Sequence, residues 1–358
     1  MLNFKIDIPL FIGLFVLCCV SLLILWSAGG ENSRLLFSQG VRMGVAVVVM
    51  LAIAQVRPAT LFRVSPILFG IGMVMLVLVL LVGYTGKGAQ RWLDLGFMRF
   101  QPSELMKLAV PMMVAWVLTR KPLPPSLGNL CLAGIVLVAP AILILQQPDL
   151  GTTILIVMSG ALIFFLAGFA WKLIGLLALS GLVAIPIAYN FLLHDYQRQR
   201  IQTLFDPWED PLGAGYHIIQ SMIAIGAGGA QGKGWLDGSQ SQLEFIPERH
   251  TDFIFSVFAE EQGFVGFLFL LLLYILITGR GLYIAYYTKD TFSRLVAGSL
   301  SMTFFFYVFV NIGMVSGMLP VVGVPLPLIS YGGTSMVTLM AGFGILMSIH
   351  RHRSLMSR

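Results

Sequence analysis

The densest run of ionisable side chains in this 358-residue sequence is Pro247-Glu248-Arg249-His250-Thr251-Asp252-Phe253-Ile254-Phe255, followed by Glu260-Glu261-Gln262-Gly263. It directly precedes the apolar stretch that begins at Phe264. A carboxylate at such a boundary sits where the dielectric falls, so its basicity can be tuned for taking a proton. Asp252 is the candidate general base on that reasoning, with Glu248 and Arg249 beside it. The same run also fits a solvated strip of charge, or acids favoured by a helix N-terminus.

A second cluster is Arg91-Trp92-Leu93-Asp94-Leu95-Gly96, then Gln101-Pro102-Ser103-Glu104-Leu105-Met106-Lys107. Glu104 and Lys107 are three apart, hence on one helix face, and Pro102 suits a first helical turn. Burying either charge in lipid costs about 2.5–3.5 kcal/mol, so they should pair or face a wet cavity. A salt bridge locking two helices and a substrate contact both satisfy that demand. Gln147-Pro148-Asp149-Leu150-Gly151 echoes the Gln-Pro-acid pattern, and a helix cap is the default role of Asp149. Tyr196-Gln197-Arg198-Gln199-Arg200 and the glycine run 226–234, with Lys233, offer guanidinium groups and backbone amides suited to phosphate oxygens. The run is no Walker loop, because Ala227 and Gly234 break that pattern, and Gln231 breaks the dinucleotide one. A flexible turn is expected there, with anion binding second. Leu319 to Gly333 carries three prolines and three glycines and cannot be regular helix. Such backbone beside a membrane must be buried or line a cavity, so a re-entrant Pro/Gly-rich segment flooring a site is expected.

These clusters must be positioned by elements that live in lipid. Hydrophobic residues make up 58% of the chain and charged residues 11%, against roughly 25% charged in an average soluble domain. Lipid admits only helices and closed barrels. Unbroken runs such as Ile67 to Val82 and Phe264 to Thr278 predict an all-α polytopic membrane protein. About ten transmembrane helices are expected, centred near residues 18, 47, 74, 110, 137, 160, 181, 268, 306 and 341. The stretch Ile8 to Trp26 exceeds the roughly 7–15 residues of a signal h-region and reads as a retained first helix. Cys18, Cys19 and Cys131 fall inside spans and read as small packing residues. The bias of Lys and Arg places both termini inside, where twelve of the 22 cations meet only Asp7 and Asp290. Topology therefore explains the formal charge of +6, and no nucleic-acid partner is needed. A single transmembrane domain, 1–358, is left with one large extracytoplasmic loop at about 191–252. Its acidic and Gly/Pro-rich chemistry faces outward, where there is no ATP.

Six motifs in order carry a likeness: RWLDLG at 91–96, QPSE at 101–104, QPDLGTT at 147–153, DPLGAGYHIIQS at 210–221, PERHTDFIF at 247–255 and NIGMVSGMLPVVGVPLPLISYGG at 311–333. Together they resemble the SEDS family of shape, elongation, division and sporulation proteins, over essentially the whole chain. The resemblance implies a peptidoglycan glycosyltransferase that polymerises lipid II, the undecaprenyl-diphosphate-linked disaccharide-pentapeptide, in cell elongation and rod-shape maintenance. It implies the bacterial inner (cytoplasmic) membrane, with the active site on the periplasmic side. It also implies a class B penicillin-binding protein, the crosslinking transpeptidase, as partner, together with other elongation-complex membrane proteins. Asp252 falls on the family's catalytic aspartate, and Glu104, Lys107 and Asp149 on its other motif positions. The implied step is one inverting displacement, with Lys107, Arg198, Arg200, Lys233 and Arg249 as candidates near the departing diphosphate and Arg91 in support. A divalent cation, Mg or Mn, held by Asp252 or Glu104 is an open option. Two other readings compete: a flippase for the lipid-linked precursor, and a non-catalytic scaffold for the transpeptidase. A carrier needs polar groups near the bilayer midplane, whereas these acids gather at the outer rim.

Overall fold

The computed structural model describes residues 6–86, 89–94, 96, 99–120, 125–168, 195–213, 215–243, 245–246 and 248–353. Helices dominate: α1 Ile8–Ala28, α2 Ser33–Ala54, α3 Pro58–Val82, α4 Pro102–Thr119, α5 Leu127–Gln146, α6 Leu150–Leu166, α7 Asp195–Phe205, α8 Tyr216–Gly228, α9 Ser239–Gln242, α10 Ile254–Tyr286, α11 Thr291–Val315 and α12 Thr334–Arg353. Nine of the ten expected span centres fall inside one of these helices; the span near residue 181 lies outside the described residues. Six helices, α1, α2, α3, α5, α10 and α11, are long and apolar enough to cross a membrane. Their outer faces carry large apolar side chains such as Phe15, Ile67, Ile71 and Leu81, all well exposed, as a lipid-facing surface requires.

α4 differs from these six because protein, not lipid, surrounds most of it. α4 packs against α3, α5, α6 and α11, and most of its residues are buried. A helix walled in this way can carry Glu104 and Lys107 without facing hydrocarbon. Pro102 opens α4 at a position whose amide needs no helical acceptor. At the opposite, basic end of the bundle, Asp7 caps α1 by accepting from the Leu10 amide at 3.0 Å, and Arg280 of α10 clamps the same carboxylate at 3.1 and 2.8 Å. Burial pushes the Asp7 carboxyl up, but those hydrogen bonds and the charges of His350 and Arg280 outweigh it and hold it below the usual range.

Two connections between helices are themselves structured. Between α3 and α4, β1 (Tyr84–Gly86), β2 (Ala89–Asp94) and β3 (Arg99–Phe100) form an antiparallel sheet in that order. Leu93 pairs with Phe100 and Asp94 with Arg99, and the Arg99 guanidinium covers the Tyr84 ring at 4.1 Å. The long segment 191–252 contains α7, α8 and α9, with α8 packed on α10.

The glycine run is not a flexible turn. α8 extends to Gly228, and the residues after it lie directly on a break in α10 at Gly263, whose backbone is non-helical (φ 63°, ψ −160°). The amides of Lys233 and Gly234 donate to the carbonyls of Glu260 and Glu261 at 3.0 and 3.1 Å, and those of Phe264 and Val265 return to Gly229 and Ala230 at 3.0 and 3.1 Å. A Cβ on Gly232 would stand 2.0 Å from the Glu261 carbonyl oxygen. Close backbone approach explains that glycine. With the Lys233 and Gly234 amides engaged, the anion-cradle reading is withdrawn.

Candidate active site

Asp252 lies two residues before α10, on a backbone fixed from outside. The Tyr331 amide donates to the His250 carbonyl at 2.8 Å. The Ser330 hydroxyl donates to the Thr251 carbonyl at 2.7 Å, and the Asn311 side-chain amide to the Asp252 carbonyl at 2.9 Å. Three consecutive carbonyls are thus tied to α11 and to the irregular segment 319–333, which contains no helix. That segment is itself braced, because Asn311 also donates to the Val324 carbonyl at 2.7 Å and the Leu326 amide to the Ser330 hydroxyl at 2.8 Å. On the other side the Thr251 hydroxyl donates to the Glu248 carboxylate at 2.7 Å. Glu248 adopts φ 53°, a left-handed conformation that costs a non-glycine residue about 1–2 kcal/mol. Strain held by surrounding bonds is a common mark of a working site.

Two cavities of about 360 Å³ each meet at this aspartate. The first is lined by Arg91, Trp92, Gln101, Glu104, Lys107, Asp149 and Tyr307 as well as Asp252. The second is lined by Gln199, Arg200, Thr203, His217, Glu248 and Phe253, again with Asp252. Gly323 also borders both, and its φ of +70° favours glycine there, where a Cβ would come into contact with Asp252 Oδ2 at 3.5 Å.

In the first cavity Lys107 Nζ bonds Glu104 Oε1 at 2.6 Å and sits 5.0 Å above the Tyr307 ring. The pair lies within α4 and does not bridge two helices, which removes one of the alternatives drawn from spacing. Glu104 Oε2 is buried without a hydrogen-bond partner. Asp149 is the N-cap of α6, accepting from the Thr152 amide at 3.2 Å, but it also takes a bond from Gln101 at 3.1 Å and faces Arg91 at 3.8 Å. Arg91 donates to the carbonyls of Gln147, at 3.2 Å, and Pro148, which draws β2 over the cavity mouth. In the second cavity the His217 ring stacks on Phe253, with centroids 5.7 Å apart. Burial lowers the His217 pKa below the ordinary 6.5, against an opposing pull from Glu248.

The other expected cations are placed elsewhere. Lys233 bonds Glu260 at 2.7 Å and Ser239 at 2.6 Å, fastening the loop before α9 onto α10. Arg249 donates to the Ser241 carbonyl. Neither these two nor Arg198 line the two cavities. Asn311, Ser330, Tyr307 and His217 were not singled out from sequence; a buried Asn in an apolar helix is costly enough to have been a signal. Among the described residues no three His, Cys, Asp or Glu side chains form a cation cage. The open oxygen of Glu104 and the carboxylate of Asp252 line one cavity and are donors of the type a magnesium ion takes, since it commonly binds one or two carboxylates and completes its shell with substrate phosphates and water.

Known proteins resemble this chain over nearly its whole length. The sequence profile of the FtsW, RodA and SpoVE cell cycle proteins matches residues 1–355. The peptidoglycan glycosyltransferase MrdB of Escherichia coli K12 is 54% identical over 353 residues, covering 99% of this chain and 95% of the relative. A chain in a peptidoglycan synthase complex that coordinates polymerization and crosslinking superposes with a TM-score of 0.84 at 35% identity, over 99% of both chains. The rod shape determining protein RodA of Thermus thermophilus gives 0.73 at 28% identity, over 98% of both. The chain belongs to the FtsW/RodA/SpoVE family of cell cycle proteins.

Proposed function

We infer that this chain is a peptidoglycan glycosyltransferase of the rod-shape type, an integral membrane enzyme that polymerises lipid II with Asp252 as its general base. The observation that carries the mechanism is the position of Asp252 where two cavities with charged side chains in their walls meet, on a backbone held at three successive carbonyls. Two glycosyl substrates have to be brought together at one proton acceptor, and this geometry supplies a place for each. Asp252 takes the proton from the acceptor sugar hydroxyl as its oxygen attacks the anomeric carbon. The bond to the diphosphate breaks on the opposite face, which inverts the configuration. A positioned base contributes about 10²–10⁴ in rate. The diphosphate leaves with its charge met by Lys107 and Arg91, or by Arg200 across the aspartate; such stabilisation is worth on the order of 10²–10³. A magnesium or manganese ion bound by Glu104 and Asp252 would supply further charge neutralisation there.

The crowding of cations at the basic end supports an inner-membrane orientation with both termini cytoplasmic and the two cavities periplasmic. A lipid-linked diphosphate donor suits that side, because it brings its own leaving group. The chain's similarity to a component of a synthase complex supports a penicillin-binding transpeptidase as its partner. Purified protein in detergent with lipid II tests the function: glycan strands on a gel are expected. Transbilayer movement of lipid II in vesicles without polymer would instead make it a carrier.

A further inference from the structure

At the basic end of the bundle, remote from Asp252, the helices enclose a cavity of about 500 Å³ that glycosyl transfer does not use. Its floor is apolar: Phe62 of α3 and Phe292 of α11 meet edge to face at 5.1 Å, with Ile349 of α12 also lining it. Its rim carries two cations, Arg63 and Lys289, beside the imidazole of His352, contributed by three different parts of the chain. The lining acid, Asp290, is already committed as the cap of α11, accepting from the Ser293 amide at 2.9 Å and hydroxyl at 2.6 Å. The hydroxyls of Thr119 and Thr288 are turned onto carbonyls of their own helices, each at 2.7 Å. Arg63 and Lys289 are exposed, and neither takes part in the ion pairs found among the described residues. The first-turn amides of α11, at Thr291 and Phe292, add positive potential, since they precede the helix's own hydrogen-bond ladder.

The depth of this cavity in the bilayer is marked by aromatic residues. Tyr283, Tyr286 and Tyr287 are exposed around the end of α10, and Trp116 lies under the Arg120 guanidinium at 4.1 Å. Tyrosine and tryptophan gather at headgroup level, where one end of the ring is wet and the other apolar. We propose that this cavity binds the phosphodiester headgroup of an anionic phospholipid, with Arg63, Lys289 and His352 on the phosphate and the glycerol backbone over Phe62 and Phe292. A zwitterionic lipid brings its own cation, which Arg63 and Lys289 repel. A free phosphate shares the anionic chemistry but has no use for the aromatic floor. The site stands whether or not Asp252 is the catalytic base.

The test uses the full-length protein in nanodiscs of phosphatidylcholine, with and without phosphatidylglycerol. Readouts are the unfolding temperature and the phosphatidylglycerol retained by native mass spectrometry. Arg63→Gln with Lys289→Gln should weaken retention about twenty-five-fold, taking roughly fivefold for each cation near an anionic surface. The same pair should lose the lipid-dependent rise in Tm while matching the parent in phosphatidylcholine discs. Lys289→Gln alone, expected to weaken retention about fivefold, serves if the double variant does not fold. Arg57→Gln with Arg294→Gln removes equal charge from the same end outside the cavity and should leave retention intact. Equal loss in both pairs would reduce the effect to diffuse surface attraction, and no loss in the cavity variants would remove the site. Inorganic phosphate giving the same variant-sensitive rise in phosphatidylcholine discs would overturn the lipid assignment.

Discussion

Breaking the Glu104–Lys107 pair should harm stability and catalysis in ways that a second substitution separates. The two side chains are 6% and 8% exposed and bond at 2.6 Å. Glu104→Gln leaves the buried Lys107 ammonium without its carboxylate partner, 5.0 Å above the Tyr307 ring. An uncompensated buried charge costs about 3–5 kcal/mol, and because this pair borders a cavity that water can enter, the loss should be near the lower end, about 3 kcal/mol. Adding Lys107→Met removes the stranded charge, so most of that stability should return. Activity should not return with it. If Lys107 meets the departing diphosphate, the double variant stays depressed by on the order of 10²–10³ even as its stability returns. The measurements are SDS-induced unfolding in mixed micelles and glycan synthesis from lipid II, made on the same preparations. Recovery of polymerisation together with stability in the double variant would reduce the pair to a structural lock and refute its catalytic role. Failure to regain stability would refute the desolvation argument.

Three further outcomes follow from the same geometry. Asn311→Leu removes the donor to the carbonyls of Asp252 and Val324, leaving two buried acceptors open at about 1–3 kcal/mol each; kcat should fall more than KM rises, and unchanged kinetics would count against the three-carbonyl brace. Gly323→Ala forces a side chain into the left-handed region at about 1–2 kcal/mol and sets a methyl group 3.5 Å from Asp252 Oδ2, so both Tm and glycan yield should drop. His217 has its folded pKa lowered below 6.5 by burial, so on acidification the unfolded state takes up its proton first. Stability should therefore be level above about pH 6.5 and decline below it, toward the folded pKa. His217→Gln should flatten that decline in a Tm-against-pH series.

Much of this architecture is legible in sequence because lipid is an unforgiving solvent. A charge inside an apolar run is expensive, so Glu104, Lys107 and Asp149 announced themselves, and the structure brings all three to one cavity with Asp252. Three prolines and three glycines forbade helix at 319–333, as observed. The rest escaped because it depends on neutral or backbone groups. Asn311 and Ser330 look like ordinary helix and loop residues until their donors are seen to hold the carbonyls of Asp252 and Thr251. Strands of three, six and two residues are too short to leave an alternating pattern. The glycine run misled for the opposite reason: it resembles an anion cradle, yet its composition serves close packing against the Gly263 break. Lys233 shares that outcome, since Glu260 is distant in sequence and its claim on the ammonium is visible only after folding.

Glycan polymerisation by this chain would turn on proton abstraction by one carboxylate, and a single isosteric change tests that role. Asp252→Asn, purified and shown to keep the parent's unfolding temperature and lipid II binding, should lose glycan polymerisation by at least about 10²–10⁴. Polymer formed at a rate within a few-fold of the parent would contradict the assignment.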